Sequence, residues 1–400
     1  MQLGADQSLG HLTYCTNIHA AEAWPDVIAG LRRHLPEIKA DISPHRPLGV
    51  GLRLAAKAAE ALTDPATFAE LQEFLSQGDY YVFTLNGFPY GNFHGQPVKE
   101  GAYKPDWADP LRLSYTNSLS DHLAKLLPDG MEGSISTVPG TFKPWLVGKE
   151  TLVDTIADNM IRHVSHLVKV QESSGKLINL ALEPEPFCMI ETIDETIGFF
   201  DRYLYSDSAA KRLATLAGLS PDAAAQALRR HLGVCYDVCH AAVEFEDPRA
   251  SLAALKTAGI KISKLQLSSA MRIPRVDGDT ARLLGQMNEP VYMHQVVENR
   301  DGKLIRYADI PDALQQIDAA RGSEWRTHFH VPIFLEEMQS VATTQQFLKD
   351  ILAIHKEQPV TEQLEVETYT WDVLPESYRN VGVSAAIARE LAWVRDQLLA

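Results

Sequence analysis

Short apolar runs alternate along the chain with longer segments whose apolar positions recur at helical spacing, and the alternation holds from near the start to the end. The runs at Leu12–His19, Pro47–Leu54, Tyr80–Pro89, Gly133–Gly140, Lys176–Pro186, Gly233–His240 and Ile260–Met271 read as strands. Gly233 to Val238 shows no polar alternation, the mark of a strand covered on both faces. Between the runs the periodicity predicts helices, the first carrying Pro25 in its opening turn and the second broken at Thr63-Asp64-Pro65. A helical hairpin is expected at Ser208–Ala217 and Pro221–Leu232.

After Met271 the rhythm lapses. Val291–Ile310 reads as a β-hairpin turning at Asn299–Gly302, with Asp301-Gly302 as the turn signal. Glu324–Phe334 reads as a further strand, Val341–His355 as a helix, Leu364–Pro375 as a strong strand and Ser384–Leu399 as a closing helix. Seven strand–helix units, an interruption and an eighth unit predict an α/β fold, a (β/α)8 TIM barrel. Residues 1–400 then form a single domain, with an extra hairpin-and-strand insertion at about 272–345 between strands seven and eight. The competing open doubly wound sheet lacks its signatures: neither GxGxxG nor GxxxxGK[ST] follows the first strand. A long Gly- and aromatic-rich connection, Tyr90 to Asp109, exceeds ordinary loop length and suggests a lid or binding loop.

Composition narrows the function. A net charge of −15, from 37 basic and 52 acidic residues, disfavours nucleic acid or an anionic membrane surface as partner. No apolar run reaches the roughly 20 residues needed to span a bilayer, so direct membrane insertion is not expected. The N-terminal residues lack the basic and apolar regions of a secretion signal. The cysteines Cys15, Cys188, Cys235 and Cys239 form no CxxC pair, and a cytoplasmic location is expected.

Barrel strands deliver their C-terminal ends to one rim. There the sequence places Glu183 in LALEPEP, Asp237 and His240 in YDVCH, Gln266 in KLQLSS and Glu367 in LEVETYT. Each has an ordinary structural reading: Asp237 caps a turn, His240 donates to a carbonyl, Glu183 or Glu185 caps a helix, Glu367 pairs with an arginine. Three carboxylates on one rim are harder to dismiss, because unpaired like charges repel. With Gln266 as a neutral donor they suit a divalent metal such as Mn²⁺, Mg²⁺ or Zn²⁺. Asn17, His19, Asn86 and His94 are expected in a substrate pocket, with Phe88, Tyr90 and Phe93 either closing over a sugar-sized ligand or packing the loop.

In that order, Glu183, Asp237-x-x-His240, a polar residue on strand seven and Glu367 near the end, the chain resembles the xylose isomerase-like TIM barrels, which include sugar phosphate isomerases and ketose 3-epimerases. The resemblance implies that Glu183 and Glu367 are both metal ligands and the acid and base of a proton transfer. It makes Asp237 a ligand only, and gives His240 and Arg272 substrate contacts. The sequence departs at strand seven, where Gln266 stands for a ligating histidine; His328 and His330, alternating in THFHVPIF, are alternative sources of the imidazole. The stretches LTYCTNIHAAEAW, LNGFPYGNFHG, GSISTVPG and WRTHFHVPIF also make the chain similar to EboE-type metabolite traffic proteins. That second resemblance implies the fold and hardly the reaction; together with Gln266 it motivates the alternative expectation, a non-catalytic carrier on the same barrel that hands a small-molecule metabolite to a membrane-protein partner from the same gene cluster.

Overall fold

A computed structural model of the chain describes residues 1–4, 8–338, 341–374 and 376–400. Seven strands are laid down in order: β1 (His11–Tyr14), β2 (Leu48–Arg53), β3 (Tyr80–Asn86), β4 (Gly133–Thr137), β5 (Ile178–Leu182), β6 (Leu232–Asp237) and β7 (Lys261–Leu267). A second, antiparallel sheet follows: β8 (Met271–Ile273), β9 (Val296–Arg300), β10 (Lys303–Tyr307), β11 (Glu324–Thr327), β12 (Glu337–Met338) and β13 (Val341–Thr343). The last strand, β14 (Gln363–Val366), returns to the first sheet and pairs in parallel with both β7 and β1.

The first sheet therefore runs β1-β14-β7-β6-β5-β4-β3-β2, all neighbours parallel, and is an eight-stranded TIM barrel. Its last seam is made by a parallel bridge between Cys15 and Gly51. At that seam Thr13 replaces ladder bonds with its side chain: Oγ1 donates to Gly49 O (2.8 Å) and accepts from Gly51 N (2.9 Å). Gly51 is required there. A Cβ at that position would lie 1.8 Å from Glu365 Oε1 and 2.6 Å from Tyr14 O.

Barrel-strand residues are buried almost throughout, which explains the unbroken apolar runs. The helix breaks fall where the sequence placed them. Asp64 accepts from Thr67 N and caps the helix Pro65–Gln77, and Ser206 and Ser220 cap the two members of the hairpin, Asp207–Ala217 and Pro221–His231. In the antiparallel sheet, β9 and β10 turn through Asp301 (φ 52°) and Gly302 (φ 86°), the left-handed pair that the Asp-Gly signal specifies. Two extended readings shorten. The run predicted as one strand from Glu324 to Phe334 is a strand only to Thr327, so His328 to Phe334 are free to bend over the barrel mouth. The run from Leu364 leaves the sheet after Val366 and forms a short 3-10 turn at Tyr369–Val373; its predicted end, Pro375, lies outside the described residues. Among the described residues no helix is long and apolar enough to cross a membrane. All four cysteines are free and buried.

The barrel floor holds one buried ion pair. Lys264 Nζ donates to Glu365 Oε2 (2.6 Å) and to Ser136 Oγ (3.1 Å), and both charged side chains are fully enclosed. Burial opposes the lysine's charge, but Glu365 more than offsets this and holds its pKa above the ordinary value.

Candidate functional site

The C-terminal ends of β5, β6 and β14 bring Glu183, Asp237 and Glu367 together, with one carboxylate oxygen of each within 4.8 Å of the others. Local structure fixes each of them. Asp237 ends β6 and caps the helix Val238–Val243, so its Oδ1 accepts from His240 N (3.1 Å) and from Ser268 Oγ (2.7 Å). The capping reading thus describes one oxygen only, since Asp237 Oδ2 has no hydrogen-bond partner. Glu367 Oε1 accepts from Asn17 Nδ2 (2.7 Å) and Asn86 Nδ2 (3.0 Å), contributed by the segments after β1 and at the end of β3. Glu183 Oε2 is also without a partner.

A histidine completes the set. His330 Nδ1 lies 3.0 Å from the carbonyl oxygen of Glu367, which makes that nitrogen the donor and leaves Nε2 with its lone pair. Nε2 has no partner and lies 3.9 Å from Asp237 Oδ2. Among the described residues, ion pairs reach these three carboxylates only through His240 and His330. The nearby Lys264 is matched by Glu365. Burial, together with the charges of Glu367 and Asp237, pushes the Glu183 carboxyl well above its usual range, and burial likewise raises Glu367.

Glu183, Asp237 and His330 each keep a buried atom without a partner, and Asp237 is common to both groupings, lying with Glu183 and Glu367 on one side and with His330 on the other. Buried polar atoms without partners are rare in folded proteins and mark either strain or a missing ligand. Two or three carboxylate oxygens plus one imidazole nitrogen are a donor set for a divalent cation of the Mn²⁺ or Zn²⁺ type.

Glu183 and Glu367 open into a cavity at the barrel mouth. Asn17, Asn86, Glu185, His240 and His328 share its wall with Glu183 and Glu367. Its mouth is narrowed by Phe93, Tyr292 and Tyr369, whose rings pack together, 5.0 to 5.2 Å between centroids. The long loop after β3 supplies Phe88, Phe93 and Tyr103 to the wall. It docks on the insertion through Val98 N and Lys99 N, both donating to Val291 O, and through a Lys99–Asp309 ion pair (2.7 Å).

Not every residue expected at the site is there. Arg272 sits on β8, where its guanidinium pairs with Glu324 (2.9 and 3.1 Å) on the antiparallel sheet, facing a different cleft. The chain turns outward after Leu267, and that turn carries Arg272 away. His19 bonds Tyr14 OH (3.0 Å) and stacks on His34 (4.2 Å between centroids), on the outer side of the barrel wall. His94 lies behind the cavity wall, bridging Asn17 O and Tyr292 OH, and so fastens the loop rather than lining the pocket. Tyr90 packs edge-on against Tyr115. Gln266 is fully buried beneath the carboxylates, with its Oε1 turned to Cys235 Sγ (3.6 Å). Its carbonyl oxygen is thereby engaged below the rim, while the insertion brings His330 to the carboxylates.

Glu185, Tyr103, Gln295 and Tyr369 were not expected. Glu185 accepts from Tyr103 OH (2.7 Å), and burial pushes its carboxyl up to about 8. The signal for it was present: in LALEPEP it stands two residues from Glu183, an alternation that returns a side chain to the same side of an extended chain.

Behind the rim, Glu390 of the helix Val383–Leu399 ties two site segments together. It accepts from Ile333 N (3.1 Å), just past His330, and from Thr368 Oγ1 (2.7 Å), just past Glu367. Burial raises its carboxyl to about 7 despite these bonds. An acid whose folded pKa lies above its unfolded value costs stability as pH rises from about 4.5 through about 7. Glu390→Gln keeps an acceptor for both bonds and removes the titration. It should match the parent protein near pH 4.5 and exceed it at pH 8, by at most about 3 kcal/mol, as read from urea denaturation at the two pH values.

No protein-family model matches the chain, and no curated protein matches it. Solved structures of similar shape include D-psicose 3-epimerase with D-tagatose from Clostridium cellulolyticum H10, at 12% identity, 98% of both chains and a TM-score of 0.46. Another is a xylose isomerase domain protein from Alicyclobacillus acidocaldarius, at 11% identity, 97% of this chain and 98% of the other, TM-score 0.44. A third is the IOLI protein with a binding zinc atom, at 12% identity, 97% and 98%, TM-score 0.45. Likenesses at this level concern overall shape. The barrel itself rests on the strand order and register given above.

Proposed function

We propose that the protein is a metal-dependent isomerase or epimerase acting on a small sugar or hydroxy-carbonyl metabolite by proton transfer. The reading is carried by the convergence of Glu183, Asp237 and Glu367, with His330 Nε2 3.9 Å from Asp237, at a cavity that Glu183 and Glu367 border. These four residues would hold the cation, with Mn²⁺, Mg²⁺ and Zn²⁺ as candidates. A divalent ion held there supplies polarisation of a substrate carbonyl and its neighbouring hydroxyl.

The chain supplies the proton transfer. Glu183 and Glu367 both border the cavity and stand on different strands, so they reach a substrate carbon from different directions. One removes the proton next to the carbonyl and the other returns one. Asn17 and Asn86 hold Glu367 by Oε1, which leaves Oε2 for chemistry. A cation beside Glu183 reverses the effect of its buried carboxylate neighbours and favours the ionised form that a base requires. Phe93, Tyr292 and Tyr369 exclude bulk water from the cavity, which strengthens these charge interactions.

The test is a panel of ketoses, sugar phosphates and related hydroxy-carbonyl compounds, incubated with metal-loaded protein in deuterium oxide. Deuterium entering the carbon beside the carbonyl is the expected result. Ligands that bind, seen by thermal shift, but exchange no hydrogen would replace this reading with the carrier, which holds a metabolite for a membrane partner without converting it.

A further inference from the structure

We infer that His240, His328 and Glu185 form a second cation site, beside the first and suited to a zinc-type divalent ion. The two rings meet at a steep angle (79°, centroids 4.5 Å apart), with His240 Nε2 lying 3.1 Å from His328 Nε2. That contact has the distance of a hydrogen bond, but the surroundings deny it a proton when both rings are neutral. His240 Nδ1 faces the carbonyl oxygen of Pro184 at 3.0 Å, which can only accept, so His240 carries its hydrogen on Nδ1. His328 Nδ1 faces Gln295 Oε1 at 2.7 Å. The orientation of that amide is fixed in turn, because Gln295 Nε2 donates to the carbonyl oxygen of Pro186 (3.1 Å) and to Tyr103 OH (2.7 Å). His328 therefore also carries its hydrogen on Nδ1. Two unprotonated ring nitrogens are thus left 3.1 Å apart in a buried place with no hydrogen between them, a repulsive arrangement.

A cation between the rings turns that repulsion into ligation. Two imidazole nitrogens on one tetrahedral zinc, at about 2.0–2.1 Å each, lie about 3.3 Å apart, close to the observed separation. Each ring donates its other nitrogen to a carbonyl oxygen, the outer-shell bond that orients metal-bound histidines. Glu185 brings a carboxylate beside the pair: one ligand atom of each of the three residues lies within 4.8 Å of the others, and its Oε1 is 3.6 Å from His328 Nδ1, so it reaches an ion between the Nε2 atoms by a turn of its side chain. Tyr369 OH, 3.4 Å from His328 Nε2, does not remove the conflict, since donation to that ring leaves the His240 lone pair opposed. Two imidazoles and one carboxylate favour zinc over magnesium or calcium. All three residues border the cavity, so an ion there faces the same ligand as the first. The inference rests on ring geometry and does not depend on the isomerase reading.

The full-length protein, stripped with a chelator, is loaded with Zn²⁺, desalted and analysed for metal; a parallel sample takes cadmium for NMR. Retention of about two ions per chain is expected, falling to about one in His328→Gln, whose folding is checked by circular dichroism. The double variant Glu183→Gln, Glu367→Gln should also retain about one, so failure of the first site shows separately from failure of the second. Two cadmium resonances in the parent protein would support the inference even if His328→Gln does not fold. A single ion that survives His328→Gln, or a single cadmium resonance, overturns it; the rings would then share a proton instead.

Discussion

Glu367→Gln is expected to reduce turnover by about a hundredfold to ten-thousandfold, the usual worth of a positioned acid or base, and Glu183→Gln by a similar factor. The amide keeps the shape and can still accept from Asn17 and Asn86, so the loss reports proton transfer and charge rather than collapse of the pocket. A second readout separates catalysis from folding. With metal removed by chelator, Glu183 holds its proton because burial and its two carboxylate neighbours raise its pKa. The unfolded chain ionises freely, so this residue costs stability above about pH 4.5. Glu183→Gln should therefore melt higher than the parent at neutral pH without metal, and lose that advantage when metal is restored. A variant that is inactive and also melts lower in chelator would place Glu183 in the framework instead of the chemistry.

The largest expected effect on stability lies on the barrel floor. Lys264→Met leaves Glu365 fully enclosed with its charge unmatched, and removing one partner of a buried pair costs about 3–5 kcal/mol. Ser136 is neutral and cannot replace the lysine's charge, and Glu365 Oε1 already lacks a partner. Adding Glu365→Gln to Lys264→Met should recover a large part of the loss, because the pair is then neutral on both sides. Guanidinium denaturation of the two variants beside the parent measures both changes. A loss below about 1 kcal/mol in Lys264→Met would overturn the expectation that the pair's charges must match.

The barrel and its carboxylates were legible because both are written in short-range pattern. Strand–helix alternation needs only local periodicity, and the rim follows from where strands end, so Glu183, Asp237 and Glu367 could be placed without knowing any contact. Asn17 and Asn86 were legible for the same reason. The insertion was legible as an interruption but not as a path. Where β8 leaves the rim, and where the chain after Thr327 bends back over it, depend on sheet pairing between residues far apart in sequence. Arg272 was misplaced on the first count. On the second, His328 and His330 both reach the site, yet not through the strand alternation that first suggested them. His19 shows a different limit: a histidine at a strand end has two sides to choose from, and here Tyr14 and His34 claim it.

Among the described residues, every carboxylate and imidazole on the cavity wall comes from residue 183 onward, while the earlier part of the chain offers it asparagine amides, aromatic rings and the docked loop. The carboxylates and imidazoles are thus written in one stretch of the gene, and the neutral side chains that hold and surround them largely in another. Randomising Phe88 and Phe93 alone gives a library in which the carboxylates and imidazoles keep their hydrogen-bond partners and the apolar wall presented to the ligand varies.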